Sequence, residues 1–204
     1  MTLSVPGIDP DDPAFVYDEM AYFEENCAEY DLDAAADVVV ERVERRLGDG
    51  RVVSALRWGS EPPRVVLVHG GLFQSGDKAD FQAGAARLAA SGYVTATVNH
   101  RLAPGAPFPA PVRDLGCALA CLRRGADDYN LDPDRIAVVG YAAGATLSAM
   151  IGVAADADDL APDCEAGRSG PPAAVIASAG LYDLTTLADK RDVQAFLGGT
   201  LADL

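Results

Sequence analysis

Lysine is nearly missing from this chain. Lys78 and Lys190 are the only two, and 16 basic residues stand against 31 acidic ones, for a net charge of −15. A surface of that sign repels phosphate backbones, so nucleic acid is not expected as a partner. Histidine is as scarce: His69 and His100 are the only two. The four cysteines, Cys27, Cys117, Cys121 and Cys164, contain no C-x-x-C pair. No metal site of the usual Cys and His spacing is expected, and the cysteines read as small buried apolar side chains. No stretch approaches the roughly 20 apolar residues that a membrane span needs. The opening Met1-Thr2-Leu3-Ser4-Val5-Pro6-Gly7 has no basic region leading into an apolar one. The expectation from these absences is a cytoplasmic protein without membrane contact and without a resident cofactor.

What is present begins with apolar content. Half of the 204 residues are apolar, enough for one domain with a sizeable core. An acidic, lysine-poor surface suits concentrated salt, where screening removes most of the self-repulsion of like charges. The composition is read as that of a halophile's protein.

Residues 1–34 form an acidic, helix-leaning leader, with Asp11-Asp12-Pro13 as a helix start and Phe15, Met20 and Phe23 sharing a face. Residues 35–204 form the main domain. Its first two β-rich runs, Val38 to Leu47 and Arg51 to Trp58, flank Gly48-Asp49-Gly50 and predict a hairpin. The pattern then changes to short, largely apolar runs at 64–68, 93–98, 136–139 and 173–177, which suit strands buried on both faces of a parallel sheet. Helical spacing lies between them: Val112, Leu115, Leu119 and Leu122, and later Leu147, Met150 and Ile151. This alternation predicts an α/β fold, mostly parallel, with helices on both faces and an antiparallel start.

In such sheets the chemistry gathers beyond the carboxyl ends of the strands. After the 64–68 run comes His69-Gly70-Gly71-Leu72-Phe73, where paired glycines let backbone N–H groups approach a ligand oxygen. After the 136–139 run comes Gly140-Tyr141-Ala142-Ala143-Gly144, a G-x-S-x-G elbow in which alanine replaces the serine. The spacing lacks the G-x-G-x-x-G fingerprint, which argues against a nucleotide-binding domain.

In order along the chain stand H-G-G-L-F-Q-S-G-D-K from His69, V-N-H-R-L-A-P from Val98, L-D-P-D-R-I-A-V-V-G-Y-A-A-G-A from Leu131, G-L-Y-D-L from Gly180 and F-L-G-G from Phe196. Together these resemble the α/β-hydrolase superfamily, within the hormone-sensitive-lipase-like and feruloyl-esterase-like carboxylesterases and close to the arylformamidase branch. The resemblance runs from about residue 35 to the end. It implies an oxyanion hole made by Gly70, Gly71 and Ala143, and substrate-binding positions at Leu72, Phe73 and Tyr141. His100 falls where tyrosine is usual and reads as packing; Asp183 reads as a turn or capping residue.

Three departures from that family pattern set the functional expectation. Ala142 holds the nucleophile position and cannot form an acyl-enzyme. No histidine follows His100, although this fold uses the chain order nucleophile, acid, histidine. The sequence also stops after its sixth strand, short of the last strands and the late acid they carry. The expectation is a truncated, catalytically inert carboxylesterase-like protein. The alternatives are a non-catalytic module binding a small ester or amide, and an arylformamidase-type fragment. The sixth strand is expected to be an open edge that self-associates or accepts a complementing chain. The salt reading is checked by thermal unfolding: the midpoint is expected to rise between about 0.1 M and about 2 M salt as screening increases, and a protein most stable at the low end would contradict it.

Overall fold

The computed structural model describes the backbone of residues 40–46 and 52–58, and residues 64–128, 132–168 and 170–200. The acidic leader and the Gly48-Asp49-Gly50 turn lie outside the described residues. Six strands are described: β1 (Val40–Arg46), β2 (Val52–Trp58), β3 (Arg64–Val68), β4 (Val94–Val98), β5 (Ile136–Tyr141) and β6 (Ala174–Ser178). They form one sheet in the order β1-β2-β4-β3-β5-β6. The pairs β1–β2 and β2–β4 are antiparallel, whereas β3–β4, β3–β5 and β5–β6 are parallel. Four helices accompany them: α1 (Gln82–Ala90), α2 (Ala110–Arg124), α3 (Ala143–Ala154) and α4 (Arg191–Leu197).

The sheet splits the molecule into two layers. Register pairs Val66 with Ala96 and Val138, and Val68 with Val98 and Gly140, so these residues share one face. On that face Val66, Val68, Val98, Ile136 and Val138 pack with Val112, Leu115 and Leu119 of α2 and with Leu147 and Ile151 of α3. The opposite face carries Thr95, whose hydroxyl donates to the carbonyl of Ala85 in α1 at 3.2 Å. Both faces of β3 and β4 are buried; Val65 to Val68 of β3 read as an unbroken apolar run, whereas β4 alternates Val and Ala with the buried Thr95 and Thr97. At the end of the order among the described residues, β6 alternates between exposed and half-buried positions, and Ile176 is 60% exposed.

The cysteine expectation needs correction. Cys117 is buried as expected, but it is joined by a disulfide to Cys164, across 47 residues of chain. No spacing rule pointed to that pairing. It arises because residues 159–168 fold back along α2. Cys121 lies one helical turn beyond Cys117, and Cys27 lies outside the described residues.

The short helix α4 is held by aromatic packing. Phe196 is fully buried, its ring stacked on Phe73 with centroids 4.0 Å apart and meeting Phe108 edge-on at 5.8 Å. The carbonyl of Phe196 also accepts the N–H of Phe108. Truncating such a residue removes both its transfer energy and its packing partners. Phe196→Ala is therefore expected to destabilise the protein by roughly 3–5 kcal/mol, measured by denaturant unfolding; a change within about 0.5 kcal/mol, the size of a neutral surface substitution, would contradict the packing account.

Candidate functional site

The strand order places the site. From β3 the chain moves outward to β4 and then returns to the other side of β3 to form β5. At such a reversal the loops beyond the carboxyl ends of the two central strands diverge and leave a crevice. Here those loops are the His69–Phe73 segment after β3 and the turn at Ala142 after β5.

That turn is a strained elbow. Ala142 has φ 50° and ψ −118°, a conformation that L-residues avoid at a cost of roughly 1–3 kcal/mol. The crossing of strand and helix imposes it. A Cβ on Gly140 would overlap the carbonyl of Gly144, and a Cβ on Gly144 would overlap the carbonyls of Val68 and His69. Only glycines let the first turn of α3 pass this close to the end of β3. Hydrogen bonds then fix the turn: Ala142 donates its N–H to the carbonyl of Ser178 at 2.9 Å, and its carbonyl accepts from Ala145 and Thr146. The Thr146 hydroxyl accepts the N–H of Leu181, tying the same turn to the chain beyond β6.

The loop after β3 lies against this elbow. A Cβ added to Gly70 would come within 3.1 Å of the Tyr141 carbonyl and 3.2 Å of the Ala142 Cβ. Gly71, Leu72 and Phe73 all have positive φ, with Gly71 at 103°. Among the described residues, no acceptor takes the N–H groups of Gly70, Gly71 or Ala143. Unpaired donors of this kind beside a nucleophile position are what an oxyanion hole provides. Leu72 and Tyr141 are both more than half exposed beside it. Phe73, expected to line a pocket, is instead fully buried against Phe196, so it anchors the loop from beneath and presents no wall to a ligand. A second tie is Gln74, whose amide donates to the Asp192 carboxylate of α4 at 2.6 Å. The role of α4 in bracing this loop was missed in the sequence, although Phe196 belongs to the F-L-G-G motif that carried the resemblance.

The two histidines meet each other beneath the loop. Their rings stack with centroids 4.3 Å apart and planes 14° apart. Each Nδ1 lies against a backbone carbonyl, that of Gly70 for His69 and that of Arg101 for His100. Both are buried, and neither Nε2 has a hydrogen-bond partner. This is a packing arrangement, and the His100 side chain takes the stacking role assigned to its position. Burial, followed by the charge of His69, lowers the His100 pKa from 6.5 to about 4. The hydroxyls in the first turns of α3 are engaged: Thr146 as above, and Ser148 donating to the Gly144 carbonyl at 2.7 Å. Asp183 caps the chain after β6: the hydroxyl of Thr185 foremost, then the N–H groups of Thr186 and Thr185, donate to its carboxylate and hold it below the usual range. Among the described residues, no group of three or more His, Cys, Asp or Glu side chains is arranged to hold a metal, and no helix is long and apolar enough to cross a membrane.

Comparison with known proteins gives a consistent picture. The BD-FAE family model matches residues 57–203. Esterase LipC of Mycobacterium tuberculosis is 33% identical over 122 residues, covering 59% of this chain and 30% of its own. Carboxylesterase NlhH of the same organism is 40% identical over 91 residues, covering 44% of this chain and 28% of its own. The crystal structure of esterase LipW from Mycobacterium marinum aligns over 89% of this chain and 60% of that one, with a TM-score of 0.63 and 25% identity. The chain thus spans less than a third of the curated relatives it matches.

The lowered pKa of His100 carries a sign. The folded protein keeps this ring neutral down to about pH 4, while the unfolded chain protonates near 6.5. Stability from this group is complete above pH 6.5 and is lost as pH falls towards 4. Of roughly 3 kcal/mol at stake, about 2 should disappear between pH 7.5 and 5. Urea unfolding at those two pH values checks this, and His100→Phe is expected to flatten the difference.

Proposed function

The chain belongs to the BD-FAE family of esterase-like α/β hydrolases, and from that premise we propose that it retains the oxyanion-binding half of a carboxylic ester hydrolase while hydrolysing no ester itself. One observation carries this reading: the elbow keeps its strained geometry at Ala142, φ 50° and ψ −118°, but presents a methyl group where chemistry needs an oxygen. An alanine has no lone pair to attack an acyl carbon and no proton to give up.

The histidines do not supply a base. Both precede the elbow in sequence, and their rings are buried in a stack under the loop. Restoring a hydroxyl at 142 would leave it without a partner to take its proton, and a serine without its histidine loses nearly all of its catalytic power.

A second reading shares the same geometry. The N–H groups of Gly70, Gly71 and Ala143, without acceptors among the described residues, favour reversible binding of a carbonyl or carboxylate oxygen of a small ester, amide or acid. Leu72 and Tyr141, exposed beside them, would contact the apolar part of such a ligand.

The test is hydrolysis of p-nitrophenyl acetate and of an N-formyl aromatic amide in high salt, by the chain as written and by Ala142→Ser. No turnover above the buffer rate is expected from either protein on either substrate. Serine-dependent turnover of the ester would overturn the inert reading, and turnover of the amide alone would move the chain to the arylformamidase branch.

A further inference from the structure

From Pro171 to Tyr182 the sequence carries no charged residue, although the chain as a whole has a net charge of −15. This stretch contains β6, which among the described residues pairs with β5 on one side and with no strand on the other. Register places Val175 and Ala177 on the face covered by α3, and Ala174 and Ile176 on the opposite face, where both are exposed.

Hydrogen bonds within the chain sort the backbone groups of this edge. The Ser178 carbonyl faces β5, where it accepts the N–H of Ala142 at 2.9 Å. Backbone groups alternate sides along a strand, so those of Val175 and Ala177 face outward. The Ala177 carbonyl is already taken by the Tyr182 hydroxyl at 2.8 Å, and the Ala173 N–H by the Ile136 carbonyl at 2.9 Å. What stays open is the N–H and carbonyl of Val175, the N–H of Ala177 and the carbonyl of Ala173.

Those open groups are self-complementary. An antiparallel copy of β6, related by a two-fold axis at Val175, sets each Val175 against the other, N–H to carbonyl in both directions. It also sets the Ala177 N–H of each copy against the Ala173 carbonyl of the other. The remaining bond of that pair would join the Ala173 N–H to the Ala177 carbonyl, the two groups satisfied within their own chain. No group is stranded. A parallel strand would instead draw on the Ala177 carbonyl, which Tyr182 holds.

We propose that two copies of this chain join through antiparallel pairing of their β6 edges about Val175, forming one continuous sheet across a two-fold axis. The uncharged stretch lets two acidic molecules meet without opposing like charges at the seam, and salt screens the charges further away. Ala174 and Ile176 of the two copies come together on one face. On the other, α3 lies along β6 with Gly152 against the Val175 side chain, and the next residue, Val153, is 88% exposed. The seam also stands behind the elbow, because β6 is the strand whose end holds Ala142.

Sedimentation velocity of the full chain at about 0.1 M and about 2 M salt tests this. A dimer is expected, its share rising with protein concentration and with salt, and hydrogen exchange in the 171–182 segment is expected to slow as it forms. Val175→Pro removes an outward N–H and spares the ladder to β5, as proline does at an edge. It is expected to weaken dimerisation at least about tenfold and still unfold cooperatively on heating. Ile176→Asp, at a position 60% exposed in the single chain, is expected to behave in the same way. A monomer at every concentration in both salts would overturn the proposal. So would a dimer that persists in either folded variant, exchange in 171–182 that does not slow, assembly beyond the dimer, or a polypeptide of different mass recovered in equal amounts with the chain.

Discussion

The close crossing of α3 over the end of β3 is the constraint from which the rest of the site follows. Two missing Cβ atoms permit it: the Gly144 carbonyl fills the space at Gly140, and the carbonyls of Val68 and His69 fill the space at Gly144. Once the helix starts that close to the strand, the residue between them must turn sharply, and Ala142 takes a positive φ. The same crossing brings Gly70 against the elbow and leaves the N–H of Ala143 at the first turn of the helix without an acceptor among the described residues. The conformation belongs to the fold and not to the side chain it displays. Alanine therefore sits in it although it offers no hydroxyl.

Support for this arrangement comes from elements that are distant in sequence. Helix α4, more than a hundred residues after the loop that follows β3, braces that loop through Phe196 against Phe73 and Asp192 against Gln74. The arginines of α2 have a similar structural use. In a chain almost without lysine, Arg113, Arg123 and Arg124 send planar donors to backbone carbonyls of Asp159, Glu165, Gly170 and Pro171 in the segment between α3 and β6. Guanidinium suits this task because its several N–H groups point in fixed directions, as at Arg123, which serves the carbonyls of Pro133, Gly170 and Pro171 at once. The scarce positive charge of the sequence is thus used in part, on α2, to hold backbone.

Much of this was legible before any coordinates. The apolar runs at 64–68 and 136–139 marked β3 and β5, because strands in the middle of a sheet covered by helices on both faces carry apolar residues towards each face. Gly140 and Gly144 marked the elbow, because only glycine tolerates such an approach. Errors arose where the deciding contact was long-range. Phe73 looked like a pocket wall from its place after Gly-Gly, yet its neighbour is Phe196. Cys117 and Cys164 looked like isolated apolar residues, since nothing in a spacing of 47 residues says that the chain returns to the same helix face.

The sequence by itself determined that this is a mostly parallel α/β sheet of the hydrolase type, with glycines in the loop after β3 and at the elbow and no side-chain oxygen at residue 142. Those properties are local, fixed by periodicity, by the absence of a Cβ or by the identity of one side chain. Only the tertiary structure decided which face each aromatic ring occupies, that His69 and His100 stack with each other out of reach of a substrate, that α4 holds the loop, and that Cys164 meets α2. Each of these depends on two segments far apart in the chain arriving at the same place, and the path of the strands through the sheet sets that meeting point.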